Sequence, residues 1–159
     1  MGLTRLFAQA QPQAGAPGLH GIDVDSIGWQ QALGTVAAGG GRLLSLWAET
    51  PGSAARVHAL LGADLGLLRL TLNLAEGHTR YPSAAEIYPA ALRMERAIFD
   101  MNGLASTAAD TRPWLRHSAW PADCHPLRDP QMPSAPPEPS ADDYAFVRVD
   151  GDGVHEIPV

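Results

Sequence analysis

A chain of 159 residues suffices for one domain with extensions, burying ~68–70% of its unfolded surface. Its single cysteine, Cys124, excludes an intramolecular disulfide and, without ligands from another chain, a cysteine-based zinc or iron–sulfur site. The formal charge of −6 falls wholly in residues 129–159, where Arg148 stands against Asp129, Glu138, Asp142, Asp143, Asp150, Asp152 and Glu156. Residues 1–128 balance ten Arg against ten acids, so no basic face for nucleic acid is available. The apolar stretch between Met1 and Phe7 is too short for a secretory leader, and a reducing compartment is expected. No segment reaches the ~20 apolar residues of a membrane span, so membrane contact is expected only through partners.

Residues 1–21 read as a mobile arm, because the Gln-, Ala-, Gly- and Pro-rich stretch 8–21 lacks periodicity; folding is expected to begin near Ile22. Ser26 is positioned to cap a helix with Trp29, Leu33 and Val36 on one face, ended by Gly39, Gly40 and Gly41. Arg42 to Ala48 predicts a strand with Leu44 and Leu46 on one face, and Arg56 to Leu61 predicts a second. A turn at Gly62, Ala63 and Asp64 leads to the clearest strand, in which Leu68, Leu70, Leu72 and Leu74 alternate with Arg69, Thr71 and Asn73. Short turns make this sheet antiparallel, with an apolar face that needs cover.

The expected cover is the next segment. Ser83 with Glu86 three residues later reads as a capping box for one short turn. A helix with Pro89 in its first turn then follows, carrying the stripe Ile87, Ala91, Met94, Ile98 and Met101, flanked by Tyr88, Leu92 and Phe99 and stopped by Gly103. Prolines recur from Thr111 to Pro139, which predicts an extended path and then a linker over residues 131–141. Tyr144 to Val149 and Val154 to Val159 flank Asp150, Gly151, Asp152 and Gly153, the pattern of a β-hairpin over residues 142–159. The fold class is therefore α+β: a two-layer domain over residues 22–130, an antiparallel sheet covered by helices, with a Pro-rich extension and a C-terminal hairpin.

The stretch from Tyr81, Pro82 and Ser83 to Gly103 and Leu104, with Glu95, Arg96, Ala97, Ile98, Phe99, Asp100 and Met101 inside it, resembles the signature helix of the thirty-kilodalton subunit family of respiratory complex I. Cys124, His125, Pro126, Leu127 and Arg128 resemble the family's later Gly-His-Pro-Leu-Arg. The chain departs from the pattern at Ala97, where the family has Glu, at Asn102, where a large apolar residue is common, and at Asp129, where a Lys would stand. Residues 144–159 are similar to the opening hairpin of nickel–iron hydrogenase large subunits of the formate-hydrogenlyase type, in which a domain like the thirty-kilodalton subunit precedes the catalytic module. On that likeness the chain is expected to be the front of a longer protein or one half of a split gene.

The resemblance implies a non-catalytic structural and docking domain in a hydrogenase complex, with the thirty-kilodalton subunit of an NADH:quinone oxidoreductase as the alternative within the family. A free-standing binding or regulatory module on the same fold is the alternative of another class. The implied partners are the large subunit and neighbouring iron–sulfur subunits. The implied location is cytoplasmic, peripheral to the inner membrane through the complex. Family signature and docking residues are Glu95, Arg96, Asp100, Gly103, His125, Pro126, Leu127 and Arg128. No catalytic, metal-binding or cofactor-binding residue is expected, and no cofactor.

Beside the resemblance, the residues have plainer readings. Glu95 sits on the row of Tyr88, Leu92 and Phe99, so it is expected to find an ion-pair partner or backbone donors before any proton-handling role. Arg96 and Asp100, one turn apart, are expected to pair. Cys124 beside His125 is neither a metal site nor a nucleophile pair by itself. Trp29 and Trp47 are core candidates, whereas Trp114 and Trp120 lie on the Pro-rich strand, pinned to their own domain or to a partner.

Overall fold

The computed structural model describes residues 2–116, 120–121, 123–128 and 151. The expected linker at 131–141 and hairpin at 142–159 lie outside the described residues, Gly151 apart. A five-stranded mixed sheet carries the fold, built from β1 (Gln11–Pro12), β2 (Leu19–Val24), β3 (Arg42–Glu49), β4 (Ala55–Ala63) and β5 (Gly66–Leu74) in the order β1-β2-β5-β4-β3. The meander β3–β4–β5 is antiparallel as the alternation requires. The added pairing is β2 beside β5, which runs parallel from Leu19↔Leu67 to Val24↔Leu72. The fold is thus α+β as expected, with one parallel seam that no local pattern announces.

One face of the sheet forms the core. Leu68, Leu70 and Leu72 of β5 stand in register with Leu61, Ala59 and Val57 of β4, all fully buried. Helix α2 (Ser26–Ala38) lies on them through Trp29, Ala32, Leu33 and Val36, each large side chain stabilising the fold by ~1.5–3 kcal/mol relative to exposure. The cap of α2 is Asp25 rather than Ser26: its carboxylate accepts the Gly28 amide at 2.7 Å. Helix α1 (Leu3–Gln9) adds Leu6 and Phe7 to the same core. Residues 3–24, expected to lack regular structure as far as Ile22, are therefore a helix and two strands. The pairing partner of β2 is some fifty residues away, and apolar burial at only Leu6, Phe7 and Ala10 leaves no visible period.

Three local expectations are corrected. Leu44 is the extra residue of a β-bulge, since Leu43 pairs with Leu61 and Ser45 with Leu60. The bulge changes the parity of β3, so Leu46 is buried while Leu44 is exposed, not on the same face. The β4–β5 turn is Asp64 and Leu65, with strand continuing through Gly62 and Ala63; Gly66 follows at φ +120°, and a Cβ there would strike the Gly18 carbonyl. The one short turn expected after Ser83 is present, with the Tyr88 amide donating to the Ala84 carbonyl at 2.8 Å. Helix α3 (Ala91–Asn102) begins two residues after Pro89 and packs along β3, the last strand, with Ala91 and Ile98 buried. Both helices cover the sheet, α2 over β2 and β5 and α3 over β3, while Phe99 points outward at 39% exposure. A short parallel pair, β6 (Arg80–Tyr81) and β7 (Ala105–Ser106), brackets α3.

The second sheet face carries Trp47, which is not in the core but stacks on His58 at 5.1 Å. His58 is buried, with Nδ1 3.1 Å from Thr71 Oγ1 and Nε2 3.6 Å from Glu49. Burial lowers its pKa, with Glu49 opposing and Arg69 and Arg56 reinforcing the shift. A histidine with a depressed folded pKa lets the unfolded chain bind the proton first. Its contribution is present above the unfolded pKa of about 6.5 and is lost as pH falls below it. His58→Gln should therefore lose stability less steeply than wild type between about pH 7 and 5, read from denaturant midpoints. Equal slopes would show that His58 titrates normally.

Candidate functional site

Helix α3 brings the expected residues to one place, and its Glu95, Arg96 and Asp100 are bonded chiefly to backbone. Glu95, 2% exposed, projects from the helix toward the turn after Ser83. Its Oε1 accepts the amides of Ala84 (2.6 Å) and Ala85 (3.2 Å), and its Oε2 accepts the hydroxyl of Ser106 (2.7 Å). The Ser83 hydroxyl lies 3.1 and 3.0 Å from the two oxygens. Glu95, not Glu86, thus supplies the acceptor for the Ser83 turn, and the backbone-bonded reading of its carboxylate holds. Tyr81 is buried beside it; burial, then the Glu95 charge, raise its hydroxyl pKa well above the ordinary value.

One turn further on, Arg96 and Asp100 do not pair with each other. Arg96 donates to the carbonyls of Arg112 (2.6 Å) and Pro113 (2.7 Å) and lies 3.5 Å from Asp110. Asp100, 1% exposed, accepts the amides of Trp114 (2.7 Å), Leu115 (2.6 Å) and Arg116 (3.2 Å) on a single oxygen. The two side chains clamp the same segment from opposite polarities, one holding its carbonyls and the other its amides. That outcompetes a surface ion pair worth only ~0.2–0.5 kcal/mol. Asp110 is held well below the usual carboxylate range by the side chain and then the amide of Arg112.

The later motif closes the end of the helix. Gly103 turns the chain at φ +69°, its amide donating to the Phe99 carbonyl at 2.8 Å. A Cβ at Gly103 would meet His125 Cδ2 at 2.9 Å and the Arg128 guanidinium nearer still, so both φ and space demand glycine. His125 is buried, with Nδ1 3.1 Å from the Asp100 carbonyl and its ring edge-on to Phe99. The Leu127 amide donates to the Met101 carbonyl at 2.8 Å, and its own carbonyl accepts the Thr50 hydroxyl at 3.0 Å. Pro126 is half-buried and Leu127 is 61% exposed. Arg116 ties the two segments together by donating to the carbonyls of Cys124 (3.1 Å) and Pro121. All eight signature residues therefore surround one helix, and the second half of the motif caps the last turn of the first.

Residues missed by sequence reasoning are Ser106, Thr50, Arg93 and Trp114 in its actual setting. The Trp114 ring lies 4.9 Å from the Arg93 guanidinium and 5.4 Å from that of Arg96. None of these carries a local sequence signal, because each acts across a loop. The cleft lined by Glu95, Arg96, Phe99, Ser106, Asp110 and Arg112 holds about 50 Å³, well short of the ~300–1,000 Å³ of ligand pockets. Among the described residues, no three His, Cys, Asp or Glu side chains gather as metal ligands, and no helix is long and apolar enough to cross a membrane.

The profile of the respiratory-chain NADH dehydrogenase 30 Kd subunit family matches residues 40–135, which run from the start of β3 past Arg128. No curated protein matches the chain. Solved structures share the fold, among them the following two. One is a chain of the membrane-bound sulfane sulfur reductase, an archaeal respiratory membrane complex, at a TM-score of 0.58 and 14% identity, covering 77% of this chain and 76% of that one. The other is the trypsin-resistant fragment of Nqo5, at a TM-score of 0.58 and 15% identity, covering 69% of this chain and 98% of that one.

Glu95→Ala removes both accepting oxygens and leaves the buried Ala84 amide and the Ser106 hydroxyl without their acceptor. The expected cost is about 2–4 kcal/mol in denaturant unfolding, given ~1–3 kcal/mol for each buried polar group left unsatisfied. A loss below about 0.5 kcal/mol would show that the turn does not depend on the carboxylate.

Proposed function

Because the chain belongs to the family of the respiratory-chain NADH dehydrogenase 30 Kd subunit, we propose that it is a non-catalytic structural and docking domain of a membrane-associated electron-transfer complex. The observation that carries this reading is the use of Glu95, Arg96 and Asp100. Their charged groups are turned onto backbone amides, carbonyls and serine hydroxyls rather than into a cleft that could hold a substrate. A surface held so rigidly suits association, since little conformational freedom is then lost on binding. In this reading Glu95, Arg96, Asp100, Gly103, His125, Pro126, Leu127 and Arg128 shape the docking region. The redox centres belong to partner subunits, through which the domain is peripheral to the cytoplasmic face of the inner membrane.

Within the family we assign the chain to a nickel–iron hydrogenase of the formate-hydrogenlyase type, on the likeness of residues 144–159 to the opening of that large subunit. The second reading, the thirty-kilodalton subunit of an NADH:quinone oxidoreductase, is favoured by the description of the matching family and by the likeness of fold to Nqo5.

Purification of the tagged chain from native membranes, with identification of bound chains, separates these readings. The expected companion is a hydrogenase-type large subunit with paired cysteines. Recovery of NADH-binding subunits would establish the second reading, and a stable, unpartnered protein would contradict both.

A further inference from the structure

Arg93, Arg96, Phe99 and Asp100 share one side of α3, and the segment at 112–116 runs over that side. There Trp114 (47% exposed), Leu115 (51%) and Phe99 (39%) form an apolar ridge that the domain leaves open. The ridge is not a loose loop. Asp100 holds the amides of residues 114–116 and Arg96 holds the carbonyls of 112 and 113, so the exposed side chains stand on a fixed backbone.

The charges around the ridge are sorted by direction. Glu95 and Asp100 are at most 2% exposed and satisfied from within, and Asp110 is engaged by Arg112 and Arg96. What faces outward is guanidinium: Arg93 is exposed beside the Trp114 ring, and the Arg112 side chain, although it pairs with Asp110, is 78% exposed. A half-exposed Trp with arginines on a preorganised backbone is the composition of an interface anchor. The outward positive charge selects the partner's chemistry.

We propose that the Phe99–Trp114–Leu115 ridge with Arg93 and Arg112 is the surface that docks an acidic segment of the large subunit, its apolar side chains covering Trp114. This inference rests on the docking function proposed above and adds the surface and the chemistry of what it binds. Two other occupants fit the same chemistry less directly. Residues 129–159 of this chain are acidic, and a second copy of the chain would bring the same acids.

The test uses the full-length chain co-expressed with its large subunit, with a photo-crosslinking benzoylphenylalanine replacing Leu115. The expected crosslink joins an acidic segment of the large subunit. Trp114→Ala should weaken association about tenfold or more. Arg93→Glu, at an exposed position, should weaken it and flatten its dependence on salt. The melting temperature of both variants is measured alongside. Crosslinks to a neutral or basic segment, to residues 129–159 or to a second copy would overturn the proposal, as would association within about twofold of wild type in both variants. If wild type itself fails to bind the large subunit, the proposed function fails as well. Intact binding with indifferent variants overturns the surface assignment alone.

Discussion

Among the described residues, the segments that pack around α3 depend on carboxylates and a guanidinium presented by that one helix to the backbone of its neighbours. Segments 83–88, 110–116 and 123–128 have few internal hydrogen bonds of a regular ladder, and left alone their amides and carbonyls would be satisfied by water. Glu95 takes the amides of the first, Arg96 and Asp100 take the carbonyls and amides of the second, and the last-turn carbonyls of α3 accept from the third. Burying two carboxylates costs several kcal/mol unless each is met by donors, and here each is met by at least three. The helix thereby acts as an organiser of loops, with its apolar side reserved for β3.

This arrangement separates the molecule into two kinds of construction. The sheet with α1 and α2 is held by apolar burial, in which Trp29, Leu33, Leu68, Leu70 and Leu72 are removed from water. The region around α3 is held largely by charge-assisted hydrogen bonds at short distance. Such bonds fix positions closely, and that suits the proposed role of this face in meeting another chain in one register.

The division also explains what is legible in the sequence. Apolar burial leaves a period, so the Leu68–Leu74 alternation, the Trp29–Leu33–Val36 face and the stop at Gly103 are all readable. Long-range partners leave none. The parallel pairing of β2 with β5, the bulge at Leu44 and the short strand β1 depend on chain that arrives from elsewhere. Ser83 and Glu86 fit a local capping pattern, yet the buried carboxylate of Glu95, further along the chain, is the stronger acceptor. Arg96 and Asp100 have helical pairing distance, but each finds several backbone partners where the other offers one. The eight signature residues are recognisable as a set by resemblance; why they form a set is visible only when His125 is seen at the end of α3.

The central claim is that the carboxylates of α3 fix the loops of the proposed docking region. Amide hydrogen exchange on the chain and on Asp100→Ala tests it most directly. The account predicts slowed exchange at Trp114, Leu115 and Arg116 in the wild type. It also predicts loss of that protection in the variant while Leu68, Leu70 and Leu72 of β5 remain protected. Free exchange at residues 114–116 in the wild type, or protection there that survives the substitution, would contradict it.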